Sequence, residues 1–155
     1  MDKRPTSLKR IKTKAQANKF IKEQVSSIRK QVGKDKVLLA LSGDAVYTLN
    51  VRTYFVDNGY QASNKLQYIC NKYNSAKGQR LAYEYLKEKD FFNDKEKEVY
   101  KRGRNNIRHI PKSSDLLTYQ IASGLEAIVG YLYLTDNKRL KSLFNILTKE
   151  VFVNA

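Results

Sequence analysis

Two stretches of this chain are apolar on nearly every side, and each is interrupted by a single carboxylate. The first is Leu38-Leu39-Ala40-Leu41-Ser42-Gly43-Asp44-Ala45-Val46-Tyr47; the second is Ile121-Ala122-Ser123-Gly124-Leu125-Glu126-Ala127-Ile128-Val129-Gly130-Tyr131. Segments of this kind belong inside a domain, where helices that are hydrophobic all round are buried. Only Pro5 and Pro111 punctuate the sequence, and its apolar residues recur with the 3.6 period, so an all-α fold is expected. A length of 155 residues suits one compact domain with a real core.

The expected helices run from about Asp35 to Val56, with Asn58-Gly59 as the stop, then over Ser63–Lys72 and Ser75–Lys89. Asn93 caps the next, whose first turn carries Asp94 and Glu96 as the helix dipole prefers and which ends near Gly103. Residues 104–112 read as a loop closed by Pro111. Ser113 or Ser114 caps the long apolar helix to about Tyr133, and a last helix covers Asn137–Val151.

Asp44 shares a helical face with Ala40, Leu41, Tyr47 and Val51, and that face is expected to be packed. Glu126 has Ala122, Ser123, Val129, Gly130 and Tyr133 as neighbours. An ionised carboxylate in such a place costs several kcal/mol unless it is paired or binds a cation. For either acid alone, a buried Arg or Tyr partner, or the capping of a backbone, explains it equally well. Two such acids on the two most apolar helices favour a shared site, and Gly43, Gly124 and Gly130 would let the helices approach closely. One histidine and one cysteine cannot make a structural zinc site. A metal here must therefore be a hard ion on oxygen ligands, and Mg²⁺ takes one or two carboxylates and keeps several waters.

The formal charge of +15 points to a polyanionic partner, nucleic acid or an anionic membrane surface. Residues 1–36 carry 12 Lys and Arg against 3 acids, and form either an amphipathic helix through Ile11, Ala15, Phe20, Ile21, Val25 and Ile28 or a basic arm that orders on binding. No stretch reaches the roughly 18 apolar residues of a membrane span, and no secretory signal is read at the start. Cys70 as the single cysteine gives no sign of an oxidising compartment, so a cytoplasmic setting is expected. The basic run Lys101-Arg102-Gly103-Arg104-Asn105-Asn106-Ile107-Arg108-His109-Ile110-Pro111-Lys112 contains no acid. It is either a solvated turn or a phosphate grip beside the helix of Glu126. Lys77 and Arg80 are weaker candidates for a second backbone contact. His109 is expected to contact phosphate or solvent, Cys70 to pack in the core, and the 11 tyrosines to sit at helix contacts.

Four segments resemble Mini-ribonuclease III, the short ribonuclease III relative without a double-stranded-RNA-binding domain: LALSGDAVYTLNVR at 39–52, YNSAKGQ at 73–79, VYKRGRNN at 99–106 and PKSSDLLTYQIASGLEAIVGYLYL at 111–134. The resemblance implies a homodimeric helical bundle with the ribonuclease III endonuclease fold over 37–155, preceded by the basic extension 1–36. It implies an endoribonuclease that cuts double-stranded RNA with Mg²⁺ (or Mn²⁺ in its place), in maturation of the large-subunit ribosomal RNA precursor. Asp44 and Glu126 match the family's metal-binding, catalytic carboxylates. Lys101, Arg102, Arg104, Asn105, Arg108 and Lys112 fall on the loop that grips RNA, with Lys77 beside it. The extension either replaces the missing RNA-binding domain or contacts a ribosomal protein or particle.

Ala40 and Ser123 stand where full-length relatives have further acids, and Thr48 where relatives are often acidic. That leaves one or two metals per site open. It also leaves room for a non-catalytic RNA-binding or ribosome-assembly factor on the same fold. A basic DNA-binding helical protein would leave both acids unexplained, and peripheral membrane binding lacks exposed apolar residues in the basic segments.

Overall fold

The computed structural model describes residues 36–105 and 115–154, together with positions 15, 16, 18, 19, 22, 23 and 26. The chain divides into two units, residues 1–34 and 35–155. In the first, the seven described positions are helical; the other residues of the expected amphipathic helix lie outside the described residues.

The second unit holds α1 (Lys36–Asp57), α2 (Ser63–Asn74), α3 (Ala76–Glu88), α4 (Asp94–Asn105), α5 (Leu116–Thr135) and α6 (Asn137–Glu150), followed by a 3-10 turn at Phe152–Asn154. No strand occurs among the described residues, so the all-α expectation holds. The boundaries follow local chemistry. Ser75 accepts a hydrogen bond from the Gly78 amide at 3.2 Å, and Asp136 caps α6 through the Arg139 amide at 3.0 Å, each satisfying an orphan donor of the first turn. Asn93 and Glu96 cap α4 reciprocally: Asn93 Oδ1 accepts from the Glu96 amide and Glu96 Oε2 from the Asn93 amide, both at 2.9 Å. The cap of α5 is Asp115, whose Oδ1 accepts from the Thr118 amide at 2.9 Å, in place of the serines expected there.

α5 is the central helix, packed on by α1, α3, α4 and α6. Eleven of its residues are buried, among them Leu125, Ile128 and Leu132. From α1 come Tyr47, Val51 and Phe55, and from α6 Leu143 and Leu147. Phe152 closes one end of the core, with its ring 5.0 Å from Tyr73 and 6.2 Å from Phe55. Each such aromatic contributes about 2–3 kcal/mol by burial. Cys70 is fully buried in this core. Tyr47, Tyr73, Tyr83 and Tyr100 do sit at helix contacts, Tyr83 and Tyr100 as a parallel stack at 4.2 Å; Tyr68, by contrast, is 77% exposed.

α4 continues two residues past Gly103 instead of stopping there. Gly103 is buried, and a Cβ at this position would strike the Ala127 side chain and crowd the Ser123 carbonyl. The glycine serves the approach of α4 to α5, not a helix end.

Among the described residues, the one fully buried acid is not in either apolar helix. Glu96 has no exposed surface and receives both Nε and an Nη nitrogen of Arg139, at 2.8 and 3.0 Å. Arg139 also donates to the Phe91 carbonyl and lies 4.0 Å over the Phe91 ring. Removing one partner leaves a buried charge unpaired. Glu96→Ala is expected to cost about 3 kcal/mol in urea unfolding.

Candidate functional site

Asp44 lies on α1 and Glu126 on α5, and the crossing of these two helices sets their relation. Gly43 faces the backbone of Glu126: a Cβ on Gly43 would overlap the Glu126 carbonyl, and one on Gly130 would overlap the carbonyl of Leu39. The two backbones therefore touch at this crossing, which only residues without a side chain permit. Gly124, the third expected contact glycine, lies instead beneath the Tyr100 ring of α4.

The crossing places the carboxylates beside each other, in unlike surroundings. Glu126 is half-buried, and its carboxyl pKa is pushed up to about 7. Burial is the larger cause, the neighbouring Asp44 charge adds to it, and Gln79 works against it. Asp44 is exposed, which corrects the expectation of a packed face. The buried stripe of α1 runs through Gly43, Tyr47, Val51 and Phe55; Asp44 stands one residue off it, and Leu41 at 61% and Leu49 at 64% exposure stand two residues off it. The cost of burying a charge thus falls on Glu126 alone.

Ala40 and Ser123 bring no further acid, and no group of three or more His, Cys, Asp or Glu suited to a metal occurs among the described residues. What the site offers is a pair of neighbouring carboxylates, one exposed and one half-buried. That donor set fits Mg²⁺, which holds several waters beside one or two carboxylates, and a cation between the pair would relieve their repulsion. Thr48 is half-buried on α1.

Gln79 completes the surroundings of Glu126. It is 2% exposed, on the stripe that α3 buries with Gly78, Ala82 and Leu86. Sequence reasoning passed over it, although a glutamine in register with Ala82 and Leu86 was a visible signal.

The cations fall into two groups. Lys101, Arg102, Arg104 and Asn105 are exposed on the last turn and a half of α4, a helix end and not a loop. Because Gly103 rests on Ser123 and Ala127, this basic end crosses α5 along the stretch that bears Glu126. Arg102 pairs with Glu98 one turn back, and Arg104 Nε donates to Asn105 Oδ1 at 3.3 Å. Lys77 is exposed on the first turn of α3. Arg80 is committed elsewhere: its Nε pairs with Glu84 at 2.8 Å and an Nη donates to Thr118 Oγ1 at 2.9 Å. Arg108, His109 and Lys112 lie outside the described residues.

Comparison with known proteins agrees with this arrangement. The Ribonuclease III domain model matches residues 37–137. A Mini-ribonuclease 3 of Streptococcus pneumoniae is 39% identical over 117 residues, 74% of this chain and 91% of that protein. A Mini-ribonuclease 3 of Staphylococcus aureus is 44% identical over 109 residues, 69% of this chain and 81% of that protein. A crystal structure of a Fusobacterium nucleatum protein superposes with a TM-score of 0.64 at 32% identity, covering 72% of this chain and 88% of that one. With the helices, the glycine crossing and the paired acids in place, the chain belongs to the ribonuclease III family of endoribonucleases, in its Mini-ribonuclease III branch.

Proposed function

We propose that this protein hydrolyses phosphodiester bonds of double-stranded RNA, with Asp44 and Glu126 as the residues that hold Mg²⁺ or, in its place, Mn²⁺. The observation that carries this reading is the half-buried Glu126 set against Asp44 by a backbone-to-backbone helix crossing. Glu126 sits on a rigid central helix and supplies a fixed ligand; Asp44, at the solvent edge, supplies one that substrate can approach. When bound, the ion would supply positive charge for the phosphate in its transition state and lower the pKa of an attacking water.

Lys101, Arg102, Arg104 and Asn105, with Lys77, Arg108 and Lys112, would hold the phosphate backbone over this pair. A-form duplexes are gripped by shape and backbone because their major groove hides the base edges. The protein would act as a homodimer; Leu41 and Leu49, exposed on α1 beside the site, support a covered face there. Maturation of the large-subunit ribosomal RNA precursor in the cytoplasm, the basic residues 1–36 as an added RNA or ribosome contact, and a ribosomal protein or particle as partner belong to the same reading.

Two outcomes test the grip. Affinity for a structured duplex RNA is expected to fall roughly 10²–10³-fold between 50 and 200 mM salt, and a DNA duplex of the same sequence is expected to compete poorly. Flat salt dependence, or equal affinity for both duplexes, would sink the proposed grip on the RNA backbone.

A further inference from the structure

We propose that Arg52 is a further phosphate contact for the RNA duplex, a guanidinium held on the exposed side of α1 by the amides of Gln67 and Asn71. The inference rests on the nuclease reading above and extends the grip to a second place on the fold.

Three observations carry it. Arg52 is exposed, and one of its Nη nitrogens donates to Gln67 Oε1 of α2 at 3.3 Å. Gln67 is aimed in turn by its own Nε2, which donates to Asn71 Oδ1 at 2.7 Å. A neutral chain thus orients the guanidinium and leaves its charge uncompensated. The other arginines among the described residues divide on this point. Arg80, Arg102 and Arg139 are each paired with a glutamate, whereas Arg104, on the basic end of α4, has only an amide oxygen as partner, as Arg52 does. Finally, the surroundings favour an anion: residues 45–56 of α1 and the whole of α2 contain no acid, and α2 adds Lys65 and Lys72, both exposed.

Position joins Arg52 to the paired acids. Asp44, Thr48 and Arg52 follow one another at four-residue steps, along one of the ridges that side chains form on a helix surface. Two such steps advance about 12 Å along the axis. The backbone of a duplex that brings one phosphate to Asp44 extends past this interval and would offer others to Arg52. The residue type suits the task. Arginine carries five N–H donors in a planar fork; Gln67 takes one, and the rest stay free for phosphate oxygens. A carboxylate in place of Gln67 would orient the fork equally well but compete with phosphate for it. Nor is the contact needed to hold α1 on α2. Phe55 and Tyr73 already stack across that boundary in the core at 5.6 Å, and one exposed hydrogen bond adds little to such packing.

The test compares full-length wild type, Arg52→Gln and Lys149→Gln in binding a structured RNA duplex in chelator, over a series of salt concentrations. Lys149 is exposed on α6, and its variant removes the same charge elsewhere. Arg52→Gln is expected to bind about tenfold more weakly at about 100 mM salt. The slope of its log affinity against log salt is expected to be shallower by about 1, the signature of one lost phosphate contact. Lys149→Gln is expected to keep the wild-type slope. Gln67→Leu, which keeps the charge and removes its guide, is expected to keep the slope and lose roughly 2–10-fold in affinity. An unchanged slope in Arg52→Gln, or an equal fall in Lys149→Gln, overturns the inference. So does a change in the oligomeric state of Arg52→Gln by light scattering, which would make Arg52 part of a subunit contact. If wild type binds the duplex but cuts nothing with Mg²⁺, the nuclease reading fails and the slopes still judge Arg52; if wild type does not bind, both fall.

Discussion

Glu126→Gln is expected to abolish cleavage and, in the same protein without divalent ions, to raise the stability of the fold. The loss of activity follows from removing one of the two proposed ligand carboxylates and is expected to be on the order of 10³-fold, the scale of losing an electrostatic group at a reacting centre. The gain in stability follows from the raised pKa. A carboxyl held at about 7 in the folded chain, against 4.5 when solvated, binds a proton more tightly when folded. Its contribution is fully present below about pH 4.5 and is lost as pH rises through 7. Glutamine carries no charge to bury, so wild type and variant should be equally stable near pH 4.5 and diverge above it. At pH 8 the variant should lead by about 2 kcal/mol, a discounted conversion of the shift because the group is only half-buried. Saturating Mg²⁺ should close the gap by stabilising wild type alone. Urea titrations at the two pH values, with and without Mg²⁺, measure all of this. A variant less stable than wild type in chelator at pH 8 would show that Glu126 is held by structural partners.

Gly43→Ala is expected to be among the most damaging single-methyl changes in the molecule. Alanine favours a helix over glycine by about 1 kcal/mol, so elsewhere on α1 the change would help. At Gly43 the added Cβ meets the Glu126 carbonyl and the Gly130 amide, both backbone atoms of the central helix that cannot rotate aside. The helices must part, at a net cost on the order of 3 kcal/mol. Activity should fall further than stability, because the displacement moves Asp44 relative to Glu126. Gly130→Ala strikes the Leu39 carbonyl and should behave alike. The double variant should cost less than the sum, since both are relieved by one displacement of α1. Unfolding curves that leave Gly43→Ala within 0.5 kcal/mol of wild type (roughly the reach of an ordinary surface change) would mean that the crossing is not tight.

The helices were legible because their signals are local. Ser75 and Asn93 cap where side-chain oxygens reach the next free amides, and the period of 3.6 located every helix of the second unit. The burial of α1 was not, because a helix apolar on all sides does not reveal which stripe meets the core; Asp44 was placed on a packed face and is exposed. Gly103 looks like a helix stop when only its neighbours in sequence are considered, while its reason lies 20 and more residues away, in Ser123 and Ala127. The Glu96–Arg139 pair, 43 residues apart, has no local trace at all: Glu96 reads as a first-turn acid favoured by the helix dipole. Of the site, the two acids stood out because charge in apolar sequence is costly. Gln79 did not, because an uncharged polar residue in an amphipathic helix is ordinary until its burial and its neighbour are known.

The most direct measurement is cleavage of a structured double-stranded RNA by wild type, Asp44→Asn and Glu126→Gln, with Mg²⁺ and with chelator, alongside RNA binding by each. Discrete Mg²⁺-dependent products from wild type, absent for both variants although binding is retained, are the result predicted here. Tight binding by wild type with no cleavage of a generic duplex or of precursor ribosomal RNA, or products that persist in both variants, would contradict it.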